Sequence, residues 1–308
     1  MDSSKWIQLK IEATPQQTEQ IEDAVLDAGA VSVTLQDAAD QPILEPGVGE
    51  TPLWDNCILT ALFPTTIDPS TTQQQIQVFL PFSLQAAWEL VEEKDWSQEW
   101  KKHFKPIACS NGRLWICPSW IEAPEPSAVN LRLDPGLAFG TGSHPTTMLC
   151  LNWLEQQSLR GKTVIDFGCG SGILGIAALL LGADKVWAID NDPQALLASR
   201  DNAQRNGIAD NRLITLLPEQ IPADSKADIM LANILAKPLI DLAGQISDLT
   251  LSQGLLCLSG ILNHQVDQVS AAYTDQFVFA PSAIEDNWAQ LSATKAQSLN
   301  PKKESLFF

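Results

Sequence analysis

The chain has 308 residues, enough for two domains or for one large domain with an appendage. Its hydrophobic fraction of 45% is that of an ordinary globular protein, and no apolar run approaches the roughly 18–20 residues that span a bilayer. The formal net charge is −18; residues 1–100 hold 3 basic and 17 acidic side chains, a net of −14, which argues against nucleic-acid binding by that third.

The amino-terminal sequence enters a strand pattern directly and lacks the charged-then-apolar grammar of a signal peptide. Six scattered cysteines, Cys57, Cys109, Cys117, Cys150, Cys169 and Cys257, include no C-x-x-C pair. They read as buried thiols of a reducing compartment, with no metal site and with the cytoplasm as the expected location. The acidity of the first hundred residues fits a basic partner or simple solubility, and composition alone leaves both open.

Residues 6–12 alternate like a strand, 14–30 have helical spacing at Ile21, Val25 and Leu26, and 31–37 form a second strand. After a Pro/Gly-rich loop at 41–54, a strand at 57–63, a helix at 69–80 and a strand at 86–95 complete a β-α-β-β-α-β order. That order is the ferredoxin-like, or split βαβ, arrangement, and it predicts a small α+β domain over residues 1–95. Residues 96–128 read as a connector carrying Trp96, Trp100, Trp115 and Trp120, with a strand near 112–118. Such a tryptophan cluster fits the packing of a hinge better than the stacking of a ligand.

From residue 129 onward strands and helices alternate. Strands are predicted at 163–168, 185–190, 212–217, 227–233, 254–260, 276–281 and 287–295, with helical patterns between most of them. The last two are joined by a short non-helical link, which predicts an antiparallel strand at the end. The expected fold of 129–308 is therefore α/β: a seven-stranded, mainly parallel, Rossmann-like sheet covered on both faces.

Four stretches of this second half carry chemistry. Asp166-Phe167-Gly168-Cys169-Gly170-Ser171-Gly172 joins an apolar strand to a helix. Glycines allow a tight turn and close approach of a ligand, and the helix start near Ile173 offers amides to an anionic group. The third glycine comes one residue earlier than in the nicotinamide pattern G-x-G-x-x-G. Asp190, about twenty residues on, closes the next strand, where a carboxylate accepts ribose hydroxyls; its competing reading is a helix cap, although Asn191 and Asp192 precede Pro193 and are placed for that work. Asn233 ends the fourth strand of the sheet, where ligands of open α/β sheets lie, and its amide both donates and accepts. A turn or cap asparagine is the alternative. The fourth stretch is the loop 133–147, with three glycines and two prolines before a helix; Phe139 is placed to cover an adenine or a methionine side chain, and Thr147 to hydrogen-bond a cofactor. His144 in this loop suggests a general base, but a lone histidine in a turn reads first as structural.

Taken together, LDPGLAFGTGSHPTT, VIDFGCGSGILGIAA, AIDNDPQAL and LANIL with LSGIL resemble the PrmA family of bacterial methyltransferases that modify ribosomal large-subunit protein eleven. The amino-terminal WIQLK…DAGAVSVTLQD and the segments EKDWSQEW and RLWICPSW resemble it too, so the likeness runs nearly end to end. Lys237 and Ser143 stand where the family often carries glycine and threonine. The resemblance implies S-adenosyl-L-methionine as cofactor, contacted by Thr147, Gly168, Asp190 and Asn233, with Gly170 and Phe139 as further expected contacts and Asn233 as the expected catalytic residue. It also implies that the amino-terminal domain recognises the ribosomal protein, free or ribosome-bound, and that its α-amine and lysine ε-amines are methylated. No direct nucleic-acid binding and no membrane association are expected. A methyltransferase of nucleic-acid amines or glutamine amides is opposed by N-I-L-A at 233–236 in place of N-P-P-Y, and a nicotinamide oxidoreductase by the glycine spacing.

Overall fold

Alternation of apolar and polar side chains drives the first part of the chain into a sheet. In the computed structural model, which describes residues 6–39, 41, 52–91, 104–134 and 142–297, the elements come in the order β1 (Trp6–Ala13), α1 (Pro15–Asp27), β2 (Ser32–Asp37), β3 (Cys57–Pro64), α2 (Pro69–Phe79) and β4 (Ala86–Val91). The sheet order is β2-β3-β1-β4, with every pair antiparallel. Leu9 and Ile11 of β1 bury one face with Leu59, Ala61 and Phe63 of β3, and Ile21, Val25 and Ile76 of the two helices cover it. Asp68 caps α2 by accepting from the Thr71 amide at 2.8 Å. The expected β-α-β-β-α-β order is thus the observed one.

The chain folds as two compact units, residues 1–101 and 102–308. The second opens with a three-stranded sheet of β5 (Ile107–Ala108), β6 (Leu114–Cys117) and β7 (Val129–Arg132). Leu114, Ile116 and Leu131 alternate into the core of this unit. Part of the expected connector is therefore a small sheet, because its apolar alternation has a core to bury against.

The large sheet follows. Its elements are α3 (Pro145–Leu154), β8 (Thr163–Phe167), α4 (Ile173–Leu180), β9 (Lys185–Ile189), α5 (Pro193–Arg205), β10 (Leu213–Leu216), β11 (Ala227–Asn233), α6 (Ala236–Asp241), α7 (Ala243–Asp248), β12 (Thr250–Leu262), α8 (Val266–Ala271), β13 (Phe277–Phe279), β14 (Ala283–Glu285) and β15 (Trp288–Lys295). Strand order is β10-β9-β8-β11-β12-β15-β13, and β14 adds onto β15. The first five are parallel neighbours, and β15 runs antiparallel to both β12 and β13. Successive residues such as Val164 and Ile165 enter opposite cores, so both faces are covered, as a parallel sheet requires. Chain direction across the sheet reverses between β8 and β11, and the carboxyl ends of β8, β9 and β11 converge there.

Strand β14 was not expected. It forms a two-residue hairpin with β15 through Asp286 and Asn287, both at positive φ (47° and 67°). Asp and Asn tolerate that conformation best among residues other than glycine.

One glycine is required where β12 passes the residue that follows β11. Gly260 has φ +83°, and a Cβ there would lie 2.4 Å from the carbonyl oxygen of Ile234. Backbone cannot yield to that extent cheaply. Gly260→Ala is therefore expected to lower stability by about 2 kcal/mol or more. Gly244→Ala, in α7 with open space around it, is expected to be neutral or to stabilise by up to about 1 kcal/mol. Urea denaturation of the two variants checks the contrast, and equal midpoints would refute it.

Candidate functional site

Strand β8 ends on Phe167, and the chain turns through three left-handed glycines into α4: Gly168 (φ 73°), Gly170 (φ 52°) and Gly172 (φ 77°). Space as well as φ excludes larger residues. A Cβ on Gly168 would lie 2.3 Å from Cγ2 of Ile234, and one on Gly172 would lie 2.7 Å from Oγ of Ser199. The loop is drawn toward β9, since the Gly168 and Cys169 amides both donate to the Ile189 carbonyl, at 2.8 and 3.0 Å.

Helix α5 holds the loop from the other side. Ser199 Oγ donates to the Gly170 carbonyl at 2.9 Å, and Asn202 Nδ2 to the Ser171 carbonyl at 2.9 Å. Both side chains are buried. Sequence reading missed them, although two polar residues one turn apart within the apolar stripe of Ala195, Leu196 and Ala203 were a usable signal.

Two acids flank the loop and do different work. Asp190, half-buried after β9, accepts from the Gly170 amide through Oδ2 (2.9 Å) and from the Asp192 amide through Oδ1 (3.0 Å). Each oxygen keeps a second lone pair. Asp190 is not the cap of α5, because Asp192 fills that role by accepting from the Gln194 amide at 2.8 Å. Asp166 lies beneath, 1% exposed, and its Oδ2 accepts from the Gly175 amide at 2.8 Å. One amide of the first turn of α4 is therefore already satisfied by a side chain and is withdrawn from the anion site expected there. Burial pushes the Asp166 carboxyl up to about 7; the Gly175 hydrogen bond opposes this, and the Asp190 charge adds to it.

Thr147, Gly168, Gly170, Asp190 and Asn233 line one cleft of about 230 Å³ at the carboxyl ends of β8, β9 and β11, with Ile173, Leu174 and Ile234 as its apolar wall. The size suits a small organic molecule. Phe139 lies outside the described residues. Asn233 ends β11, and its Nδ2 donates to Thr147 Oγ1 at 3.4 Å. Its Oδ1 is buried with no hydrogen-bond partner among the described residues. A buried carbonyl oxygen left so is costly unless a ligand donor meets it. His144 does not line this cleft. It is the N-cap of α3, and its ring stands against Trp288 at 5.0 Å. Lys237 pairs with Asp241 at 2.8 Å on exposed surface. Among the described residues no group of three or more His, Cys, Asp or Glu side chains is arranged to hold a metal ion.

Residues 5–296 match the family model described as ribosomal protein L11 methyltransferase (PrmA). The chain belongs to this family. The ribosomal protein L11 methyltransferase of Cellvibrio japonicus is 53% identical over 297 residues, covering 95% of this chain and 99% of that relative. The enzyme of the same name from Pseudomonas putida strain W619 is 52% identical over 94% of this chain and 99% of its own length. The crystal structure of a ribosomal protein L11 methylase from Lactobacillus delbrueckii subsp. bulgaricus superposes with a TM-score of 0.57 at 33% identity, covering 63% of this chain and all of that one. The family resemblance noted from the sequence is thus borne out over nearly the whole chain, and so is the Rossmann-like sheet. No described helix is long and apolar enough to cross a membrane.

The raised pKa of Asp166 has a signed consequence. An ordinary aspartate ionises near pH 3.9, whereas this one holds its proton to about 7 in the folded state. Below both values the group contributes no difference between the folded and unfolded chain. As pH rises from about 4 to about 7 the unfolded state loses the proton first, so this group progressively destabilises the fold. Asp166→Asn keeps an acceptor for the Gly175 amide without the charge. Its stability relative to wild type is expected to improve steadily across that window, read from urea midpoints at a series of pH values; a difference independent of pH would refute the assignment.

Proposed function

We propose that this protein transfers methyl groups from S-adenosyl-L-methionine to amines of ribosomal protein L11, its N-terminal α-amine and lysine ε-amines. The carrying observation is the unsatisfied Oδ1 of Asn233, buried in the cleft beside Thr147 and across from Asp190. That constellation asks for a ligand with amine donors at one end and hydroxyl donors at the other, and an adenosyl amino acid carries both.

Thr147, Gly168, Gly170, Asp190 and Asn233 would hold the cofactor: Asp190 through the ribose hydroxyls, the glycine loop by close backbone approach, and Asn233 and Thr147 at the amino-acid end, with Phe139 as a cover. The bound cofactor supplies a methyl group already activated on a sulfonium. What remains for the protein is to position a neutral amine in line and exclude water. A free lysine, with pKa near 10.4, is neutral about once in a thousand molecules or fewer at pH 7. The apolar wall of Ile173, Leu174 and Ile234 favours the neutral amine by desolvation. His144 is committed to capping α3, so the proton is released to solvent rather than to a dedicated base.

Residues 1–95 serve as the substrate-recognition domain and 129–308 as the catalytic domain; of the connector 96–128, strands β5 and β6 share the core of the catalytic unit. The net charge of −14 on residues 1–100 complements a basic ribosomal protein and speeds encounter. The same charge disfavours nucleic acid as a direct ligand; the substrate is met free or on the ribosome, in the cytoplasm, without a membrane.

Incubating the full-length protein with S-adenosyl-L-methionine and L11 is expected to raise the intact mass of L11 in successive single-methyl steps, and an unchanged mass would remove L11 as substrate. Asn233→Ala is expected to lower turnover about ten- to a hundredfold; full turnover would take Asn233 out of the mechanism. Raising ionic strength is expected to reduce kcat/KM for L11 and leave kcat nearly unchanged, because screening acts on encounter.

A further inference from the structure

The amides of a helix's first turn need acceptors from outside the helix, and α3 meets that need with an uncommon cap. His144 has extended backbone (φ −72°, ψ 137°). Its Nδ1 accepts from the Thr146 amide at 3.3 Å and lies 2.8 Å from Thr146 Oγ1. An imidazole nitrogen accepts only when it carries no proton, so the cap requires the neutral ring. Burial pushes the His144 pKa down, in the same direction.

The ring also braces the helix. Its centroid is 5.0 Å from that of Trp288, at 67°. Trp288 begins β15 opposite Leu262, the last residue of β12, and the amide of Asn263, the next residue, donates to the Asn287 carbonyl at 2.8 Å. His144 therefore joins the start of α3 to the carboxyl edge of the sheet.

Three residues on, fully buried Thr147 presents Oγ1 to Asn233 Nδ2 at 3.4 Å. That distance is at the outer end of a hydrogen bond, so a small rotation of the first turn removes it.

We propose that His144 is a positioning residue: capping α3 and braced on Trp288, it sets the first turn so that Thr147 and Asn233 meet at the cleft. The inference rests on the reading of that cleft as the cofactor site. Cap and brace are separable. Asparagine or serine at the N-cap supplies an acceptor without a ring, and Trp288→Leu removes the ring contact while leaving the cap.

The test is calorimetric titration of S-adenosylhomocysteine into the full-length protein, with thermal melting of each variant as a check on folding. His144→Ala is expected to weaken binding about five- to tenfold, and His144→Asn to recover most of that loss. Trp288→Leu is expected to fall between wild type and His144→Ala. In a Thr147→Val background, His144→Ala is expected to add less than about a twofold loss, because the hydroxyl being positioned is already gone. If His144→Ala unfolds the protein, His144→Ser and His144→Asn carry the comparison with Trp288→Leu. Undiminished binding in His144→Ala, or the full loss repeated in the Thr147→Val background, would overturn the proposal. Wild-type protein that binds no S-adenosylhomocysteine would overturn the cofactor reading itself, and this inference with it.

Discussion

Ile234 is the residue against which the cleft is built. Its Cγ2 methyl occupies the space a side chain at 168 would need, and its carbonyl occupies the space a side chain at 260 would need. Gly168, just past β8, and Gly260, in β12, therefore pass Ile234, just past β11, at a distance that only glycine permits. The left-handed backbone at Gly168 and Gly260 is the local expression of that closeness. The positions of Asn233, one residue before Ile234, and of the loop from Gly168 to Gly172 both follow from it.

The acids around this contact divide their labour by depth. Asp190 is half-buried and held in orientation by two backbone amides. Asp166 is buried, meets one amide, and feels the charge of Asp190, so it retains its proton far above the ordinary range. Near neutrality Asp166 is then only partly ionised, which limits its repulsion with Asp190 beneath the glycine loop. Helix α5 completes the support with Ser199 and Asn202, donating to the two carbonyls that the loop turns outward.

Much of this is legible in the sequence, and the reasons differ from residue to residue. The strand–glycine–helix junction announces itself because three glycines at alternate positions after an apolar strand ask for a tight turn open to a ligand, although a turn without a ligand would use them too. Asp190 is legible because the strand before it is strongly apolar, and Asn191 and Asp192 stand nearer to Pro193 as candidates for the helix cap. Asp166 is visible as an acid before the glycines, but its task is not, because burial depth is a property of the assembled sheet. Ser199 and Asn202 are hidden, since a polar residue in a helical pattern looks the same whether it faces solvent or a carbonyl. Gly260 is one letter in an otherwise apolar strand, and nothing local reveals that Ile234 lies against it. Strand β14 spans three residues, Ala283–Glu285, too few for periodicity to register. Among the expected cofactor contacts, Phe139 alone has no described position.

The pairing of β8 with β11 also sets an order of events. The glycine loop and Asp190 follow β8 and β9, which are neighbours both in sequence and in the sheet, but Asn233 and Ile234 arrive only with β11. Pairing of β11 with β8 must reach back over β9, α5 and β10 before it rewards the chain, the kind of non-local closure that comes late in folding. During synthesis a chain emerging from the ribosome would thus possess its glycines and carboxylates well before it possessed a cleft, and ligand affinity would appear only once β11 had joined β8.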